Sequence, residues 1–341
     1  MASRGLRVGV VGAGSWGTAL ANLLADKGFS VDLWAYEPAV RQSIEEQRNN
    51  PMFLPGIRLS KNLSASNDLP EVLSGKDLVL FVVPSHVMRE ISDRAATHIG
   101  SGVLVVTASK GIENKTHLTM TGVLQQTLPH LPQGQIAVLS GPSFASEVAR
   151  KLPTVVTLAS VDARVAADLQ QMFAASYFRV YTNDDVTGVE LGGAIKNVIA
   201  IGTGIVEGLG LGMNARAALI TRGLTEIRRL GINLGANPHT FAGLAGMGDL
   251  LLTCTGSLSR NNTVGRKIGE GKSLQEILAE MNMVAEGIRT SKSVYNLSRR
   301  LGVEMPISHS VYQVLYEDLS VNEAVRSLMS RDLKDEMQDV R

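Results

Sequence analysis

Only one cysteine occurs in the 341 residues, Cys254. It excludes an internal disulfide and fits a reducing compartment. No charge of one sign dominates: 33 Lys and Arg against 32 Asp and Glu leave a formal +1. A general electrostatic footprint for nucleic acid or an anionic membrane is therefore missing, and any anion recognition has to be local. The six histidines, His86, His98, His117, His130, His239 and His309, form no close pair with metal-ligand spacing, so no metal site is expected. The N-terminus, Met-Ala-Ser-Arg-Gly, runs straight into a strand-like segment, without the apolar core and small-residue cleavage site of a signal peptide. Internal repeats and low-complexity tracts are absent. The longest apolar stretch, Leu191 to Val206, is too short for a spanning helix and contains Lys196 and Asn197. A lysine at a bilayer centre costs roughly 2.5–3.5 kcal/mol, so this stretch reads as a buried helix.

What is present is the composition of a globular protein, 44% hydrophobic and 19% charged, long enough for two domains with cores of their own. In the first half, β-rich runs alternate with helix-period segments. Leu6–Val11, Val31–Tyr36, Asp77–Val83, Val103–Thr107, Gln135–Leu139, Thr154–Ala159 and Phe178–Tyr181 read as strands. Trp16–Lys27 and Val87–His98 are among the intervening helices. This alternation predicts crossover connections and a mostly parallel sheet. After about Val189 the strand signal stops. Helix starts are marked by Asn237-Pro238, by Ser273 with Glu276, by Pro306 and by Ser320 with Glu323. The expected fold is therefore α/β: a mostly parallel sheet over residues 1–188, then an all-α domain over residues 189–341. Arg331–Arg341 reads as a solvated face or tail.

The first strand leads into Gly12-Ala13-Gly14-Ser15-Trp16-Gly17 with a helix after it. The three glycines permit a tight turn, backbone approach to a pyrophosphate, and close helix–strand packing; this is the Rossmann dinucleotide fingerprint. A second strand ends at Tyr36-Glu37, and Glu37 lies 20 residues beyond Gly17, where a ribose-binding acid is expected. Glu37 favours NAD, whereas Arg41 one helical turn on suits a 2′-phosphate, so the residues leave NAD and NADP open. Tyr36 reads as an adenine-stacking residue or a plain strand-end aromatic.

Rossmann dehydrogenases react at the carboxyl ends of their strands. Three turns fall there: Val82-Val83-Pro84-Ser85-His86, Thr107-Ala108-Ser109-Lys110-Gly111 and Ser140-Gly141-Pro142-Ser143-Phe144-Ala145. Each alone reads as an ordinary turn; at three successive strand ends they suggest a cleft floor. Lys196 shares a helix face with Gly192, Gly193, Ala200 and Thr203, a face with room for a ligand. Burial would lower its pKa towards proton transfer, the alternative being an interface lysine. Gly246-Met247-Gly248-Asp249-Leu250 isolates one acid in an apolar stretch. Ser259, Arg260 and Asn261 open a helix as an anion site or as ordinary capping. Cys254, with no histidine near in sequence, reads as a packing residue.

Together these motifs resemble the bacterial NAD(P)-dependent glycerol-3-phosphate dehydrogenase family. The likeness includes Gly192-Gly193-Ala194-Ile195-Lys196-Asn197 and runs in register from about Val8 to Glu317. It implies reversible reduction of dihydroxyacetone phosphate to sn-glycerol 3-phosphate for glycerophospholipid synthesis, by a cytoplasmic, commonly dimeric enzyme. Ser15, Trp16, Lys110 and Ala145 carry over as cofactor contacts, with Val284 and Glu286 from the second domain. Lys110, Gly141, Ser143, Asp249, Ser259, Arg260 and Asn261 carry over as substrate contacts, some, such as Arg260, shared with the cofactor. Lys196 carries over as the proton-transfer residue. Tyr36-Glu37 departs from the basic or polar residues common in the family there. The rival readings are another Rossmann-plus-helical dehydrogenase acting on a hydroxy acid or phosphogluconate, and a non-catalytic NAD(P)-sensing regulator.

Overall fold

Short strands of β-branched and aliphatic residues, each followed by an amphipathic segment, leave parallel pairing with crossover helices as the stable arrangement. The structure, a computed structural model, describes residues 5–281 and 285–336. Eight strands result: β1 (Arg7–Val11), β2 (Ser30–Trp34), β3 (Leu63–Ser66), β4 (Leu78–Phe81), β5 (Leu104–Thr107), β6 (Ile136–Ser140), β7 (Thr154–Ala159) and β8 (Phe178–Asn183). They form one sheet in the order β3-β2-β1-β4-β5-β6-β7-β8. Every neighbouring pair is parallel except β6 and β7, which run antiparallel with Val138 opposite Ala159. The order reverses between β2 and β4, on either side of β1. That reversal opens a crevice at the carboxyl end of β1.

The seven strands expected from the sequence all form, with ends shifted by a few residues. The eighth, β3, has no sequence expectation behind it. Leu63-Ser64-Ala65-Ser66 lacks β-branched residues, and only Leu63 and Ala65 turn inward. It is a strand because β2 offers it a free edge, a tertiary cause.

The chain divides into two compact units, residues 1–109 with 120–186, and residues 110–119 with 187–341. The strand and helix pattern predicts a single change after residue 188. The structure moves the change to 186/187 and groups Lys110–Thr119 with the helices. Within that group Ile112 is buried in the helical core, and Ser293 Oγ donates to the Ile112 carbonyl at 2.8 Å.

The helical unit is built on Val186–Gly208, buried without interruption from Gly188 to Val206. A helix apolar on every side belongs at the centre of a core. It is long and apolar enough to cross a membrane, yet its apolar window is wholly buried inside the protein. Helix Arg260–Gly269 lies against it backbone to backbone: a Cβ on Gly265 would fall 1.9 Å from the Ile201 carbonyl oxygen, and one on Gly204 would fall 2.1 Å from that of Asn262. Ser273 and Ser320 each close a full capping box with Glu276 and Glu323. Pro306 opens helix Pro306–Tyr316, whose first N–H groups, Ile307 and Ser308, donate to the buried Glu226 carboxylate at 2.6 and 3.0 Å. Asn237 also caps, accepting from His239 N, but only a short 3-10 turn, Pro238–Ala242, follows. Gly243, extended at φ −87° and ψ −166°, ends it before an α-helix can propagate. Residues 331–336 are exposed, with Arg331 and Lys334 both paired to Glu304.

Candidate active site

Within the sheet unit, the glycine turn sits at the crevice beside β1. Gly12 has φ +115°, and a Cβ there would lie 2.5 Å from the Val82 carbonyl oxygen; one on Gly17 would lie 1.9 Å from that of Gly12. The protein's own packing demands both glycines. Gly14 is different, since a Cβ there meets nothing within 4 Å. The room beside it is left for something else. Helix Ser15–Asp26 begins immediately after Gly14 with no side-chain cap and no acid in its first turn. Its positive end therefore faces that room without a capping side chain or first-turn acid, which fits the pyrophosphate of a dinucleotide. Buried Asn50 braces the turn, its Nδ2 donating to the Ala13 carbonyl and to Thr18 Oγ1, both at 2.9 Å. Trp16 packs against the sheet core. Tyr36 is 74% exposed past the end of β2, and Glu37 precedes helix Pro38–Gln47.

The three strand-end turns follow β4, β5 and β6, which are neighbours in the sheet. Ser109 Oγ donates to the Val83 carbonyl at 2.6 Å, tying two of them together. In the third, Gly141 adopts φ +142°, Ser143 Oγ donates back to the Gly141 carbonyl at 3.2 Å, and Ala145 starts a short helix.

Within the helical unit, Lys196, Asp249, Thr253 and Lys110 form one hydrogen-bonded cluster. Lys196 Nζ donates to Asp249 Oδ1 at 2.5 Å and to Thr253 Oγ1 at 2.6 Å. Lys110 Nζ donates to the other carboxylate oxygen, Oδ2, at 2.5 Å. Asp249 is 1% exposed and Lys196 6%. Two lysines thus share one buried carboxylate, Lys196 buried with it and Lys110 partly exposed. Burial pushes the Lys196 ammonium down to about 8; Asp249 opposes the shift and Lys110 adds to it. A lysine poised near neutrality, held by a fixed carboxylate, is equipped to give and take a proton. Thr253 Oγ1 also lies 2.6 Å from the Asp249 carbonyl oxygen, so the hydroxyl is anchored on its own helix.

The small-residue face of the Lys196 helix is used differently from the expectation. At Gly192 the missing Cβ admits the backbone of Ala245, whose carbonyl oxygen would lie 2.6 Å away, rather than a ligand. That contact seats the π-turn Leu244–Gly248, which delivers Asp249 to the start of helix Asp249–Thr255. Helix widenings of this kind recur at functional sites.

Ser259 caps helix Arg260–Gly269 by accepting from Asn262 N, and Arg260 is exposed at its first position with Glu286 as an electrostatic partner. The Asn261 side chain is engaged internally: Nδ2 donates to Asn197 Oδ1 at 2.9 Å, and Oδ1 accepts from Gly287 N at 3.0 Å. Val284 lies outside the described residues. Cys254 is fully buried, and burial first of all pushes its thiol up to about 11, the wrong direction for a nucleophile. Among the described residues no three His, Cys, Asp or Glu gather as a metal site.

Thr253 and Asn50 have no sequence expectation behind them, and Asn197 has one only as part of the Gly192–Asn197 motif. Thr253 stands four after Asp249 on one helix, a spacing that pairs side chains and was available as a signal. Asn197 and Asn50 find their partners only through the fold.

The model of the NAD-dependent glycerol-3-phosphate dehydrogenase N-terminus matches residues 7–166, and that of the C-terminus matches residues 185–326. A glycerol-3-phosphate dehydrogenase (NAD(P)+) of Geobacter metallireducens is 57% identical over 332 residues, 97% of this chain and 99% of its own. The chain belongs to the NAD(P)-dependent glycerol-3-phosphate dehydrogenase family. This dehydrogenase is similar throughout to the crystal structure of a glycerol-3-phosphate dehydrogenase from Coxiella burnetii, with a TM-score of 0.92 at 42% identity, covering 96% of this chain and 99% of that one. A ketopantoate reductase from Ralstonia eutropha matches at a TM-score of 0.57 and 18% identity, covering 91% and 97%, and shares the fold alone. The dehydrogenase is an oxidoreductase that uses NAD(P), which sets aside the hydroxy-acid and sensor alternatives.

Proposed function

We propose that the chain interconverts dihydroxyacetone phosphate and sn-glycerol 3-phosphate, with Lys196 as the proton-transfer group. The bond of Lys196 Nζ to buried Asp249 carries this reading. When bound, the nicotinamide exchanges a hydride with C2 of the substrate. In the reducing direction negative charge grows on the C2 oxygen; the Lys196 ammonium stabilises it and delivers the proton from Nζ. In the oxidising direction neutral Lys196 takes that proton back. Asp249 and Thr253 hold Nζ in place, and Lys110 keeps the surroundings positive. The phosphate goes to the Ser259–Asn261 helix start, where Arg260 contributes charge and the first backbone N–H groups contribute donors. With the Asn261 amide engaged inside the protein, its main-chain N–H serves this role better than its side chain. Gly141 and Ser143 complete the substrate contacts. Gly12, Gly14, Ser15, Trp16, Gly17, Lys110, Ala145 and Glu286 hold the cofactor, with Tyr36 and Glu37 at its adenosine end. A homodimer in the cytoplasm, supplying glycerophospholipid synthesis, completes the proposal.

An assay following nicotinamide absorbance with dihydroxyacetone phosphate and with unphosphorylated dihydroxyacetone tests it. Turnover of the phosphorylated ketone with very poor turnover of the other is expected; equal efficiency would remove the phosphate assignment.

A further inference from the structure

We infer that Glu37 makes this dehydrogenase select NADH over NADPH, by presenting an unneutralised carboxylate to the adenosine 2′ position. The inference rests on the nucleotide reading of the Gly12–Gly17 turn. In a dinucleotide-binding βαβ unit the segment leaving the second strand meets the adenosine ribose. An acid there accepts from the 2′-hydroxyl, and a basic group is what accommodates a 2′-phosphate.

The structure puts Glu37 in that segment. β2 lies parallel to β1 with Trp34 opposite Val11, and Gly12 N donates to the Trp34 carbonyl at 3.1 Å. The end of β2 is thereby tied to the glycine turn. Ala35, Tyr36 and Glu37 follow directly, and at Pro38 the chain turns into a helix. Glu37 is only partly exposed, with an extended backbone, and its carboxylate caps no N–H of that helix.

The neighbouring cations decide whether this charge persists. Arg41, one turn along the helix, is exposed and forms no ion pair with Glu37. Arg48, which ends the helix, spends its guanidinium on the Leu63 carbonyl. Glu45, on the same helix, accepts from Ala65 N. Among the described residues no cation is bonded to the Glu37 carboxylate. NADH brings a hydroxyl donor to it, whereas NADPH brings a phosphate of the same sign. Like-charge juxtaposition at a binding surface disfavours the wrong ligand strongly, so a preference of roughly tenfold or more for NADH is expected.

Dissociation constants for NADH and NADPH, measured by calorimetry on the full chain without substrate, test this independently of turnover. The parent should bind NADH about tenfold more tightly or better. Glu37→Gln should narrow the ratio chiefly by tightening NADPH, and Glu37→Arg should invert it. Arg41→Ala should leave the parental ratio in place. Melting temperatures without nucleotide should be unchanged for the Glu37 variants, which separates recognition from folding. Equal or tighter binding of NADPH by the parent would overturn the inference, as would a ratio indifferent to Glu37→Gln. Binding of neither dinucleotide would instead overturn the reading of the glycine turn, and the inference with it.

Discussion

A buried ammonium is costly unless its partners are fixed, and the Lys196 cluster shows how that cost is contained. Asp249 accepts from Lys196 on one oxygen and from Lys110 on the other. Removing Lys196 therefore leaves Asp249 paired and does not strand a buried charge. Lys196→Met should lower turnover by about 10²–10⁴-fold while melting temperature holds or rises, checked by steady-state kinetics and thermal unfolding. Near-parental turnover in the folded variant would end the catalytic assignment. The depressed Lys196 pKa, about 8, sets a pH dependence. Below it Nζ carries the proton that ketone reduction consumes, so reduction should fall as pH rises through about 8. Alcohol oxidation needs the neutral amine and should rise over the same range. Stability runs with this: between about 8 and the ordinary lysine value the unfolded chain binds the extra proton, so unfolding free energy from this group increases with pH there. Rate profiles in both directions check the first point, and Lys196→Met should abolish the limb near 8. At the other end of the substrate, Arg260→Ala should cost roughly 10- to 150-fold in kcat/KM, the worth of a lost charge-assisted hydrogen bond. A matching loss with unphosphorylated dihydroxyacetone would remove Arg260 from the phosphate site.

At the level of elements, the central helix Val186–Gly208 supports Lys196 through contacts that only glycine allows. Gly204 on it and Gly265 on helix Arg260–Gly269 let each backbone approach the other within van der Waals contact. The same pair of helices carries Lys196 and the Ser259–Asn261 segment proposed to hold the phosphate, so on that proposal their spacing sets the distance between proton donor and phosphate. Gly265→Ala would place a methyl 1.9 Å from a backbone oxygen that cannot move aside cheaply. A loss of about 1–3 kcal/mol or more is expected, with a rise in KM for the phosphorylated substrate. Unfolding titrations and kinetics on the same preparation check both effects. Unchanged stability would mean that the helices separate more easily than their packing indicates.

For the whole molecule, the glycine turn proposed to hold the dinucleotide pyrophosphate lies in the sheet unit and the Lys196 cluster in the helical one. Ligand effects on the two should therefore separate. Saturating dinucleotide, at about 100 times its dissociation constant, should add about 2.7 kcal/mol to the stability of the binding-competent state. Lys196→Met should retain that gain, since Gly12, Gly14 and Gly17 are untouched. A thermal shift lost in the variant would show that Lys196 contributes to nucleotide binding and not to proton transfer alone.

The sequence by itself determined most of this architecture, because its signals are local. Strand and helix periods, the glycine turn, the Ser273 and Ser320 capping boxes and the stop of the strand pattern near residue 189 each depend on residues a few positions apart. Lys196, Asp249 and Arg260 stood out because each is a charge in an apolar, Gly-rich or helix-opening context. Only the tertiary structure decided the rest. β3 exists because β2 leaves an edge to be paired. Lys110–Thr119 belongs with the helices because Ile112 is buried among them. Gly192 accommodates a π-turn rather than a ligand because Ala245, 53 residues later, fills the place of its side chain. Asn261 turns its amide inward to Asn197 and Gly287, contacts invisible to any local pattern. Local chemistry nominates charged groups, but pairing, burial and the proton affinity of Lys196 arise from segments that meet only when the chain has folded.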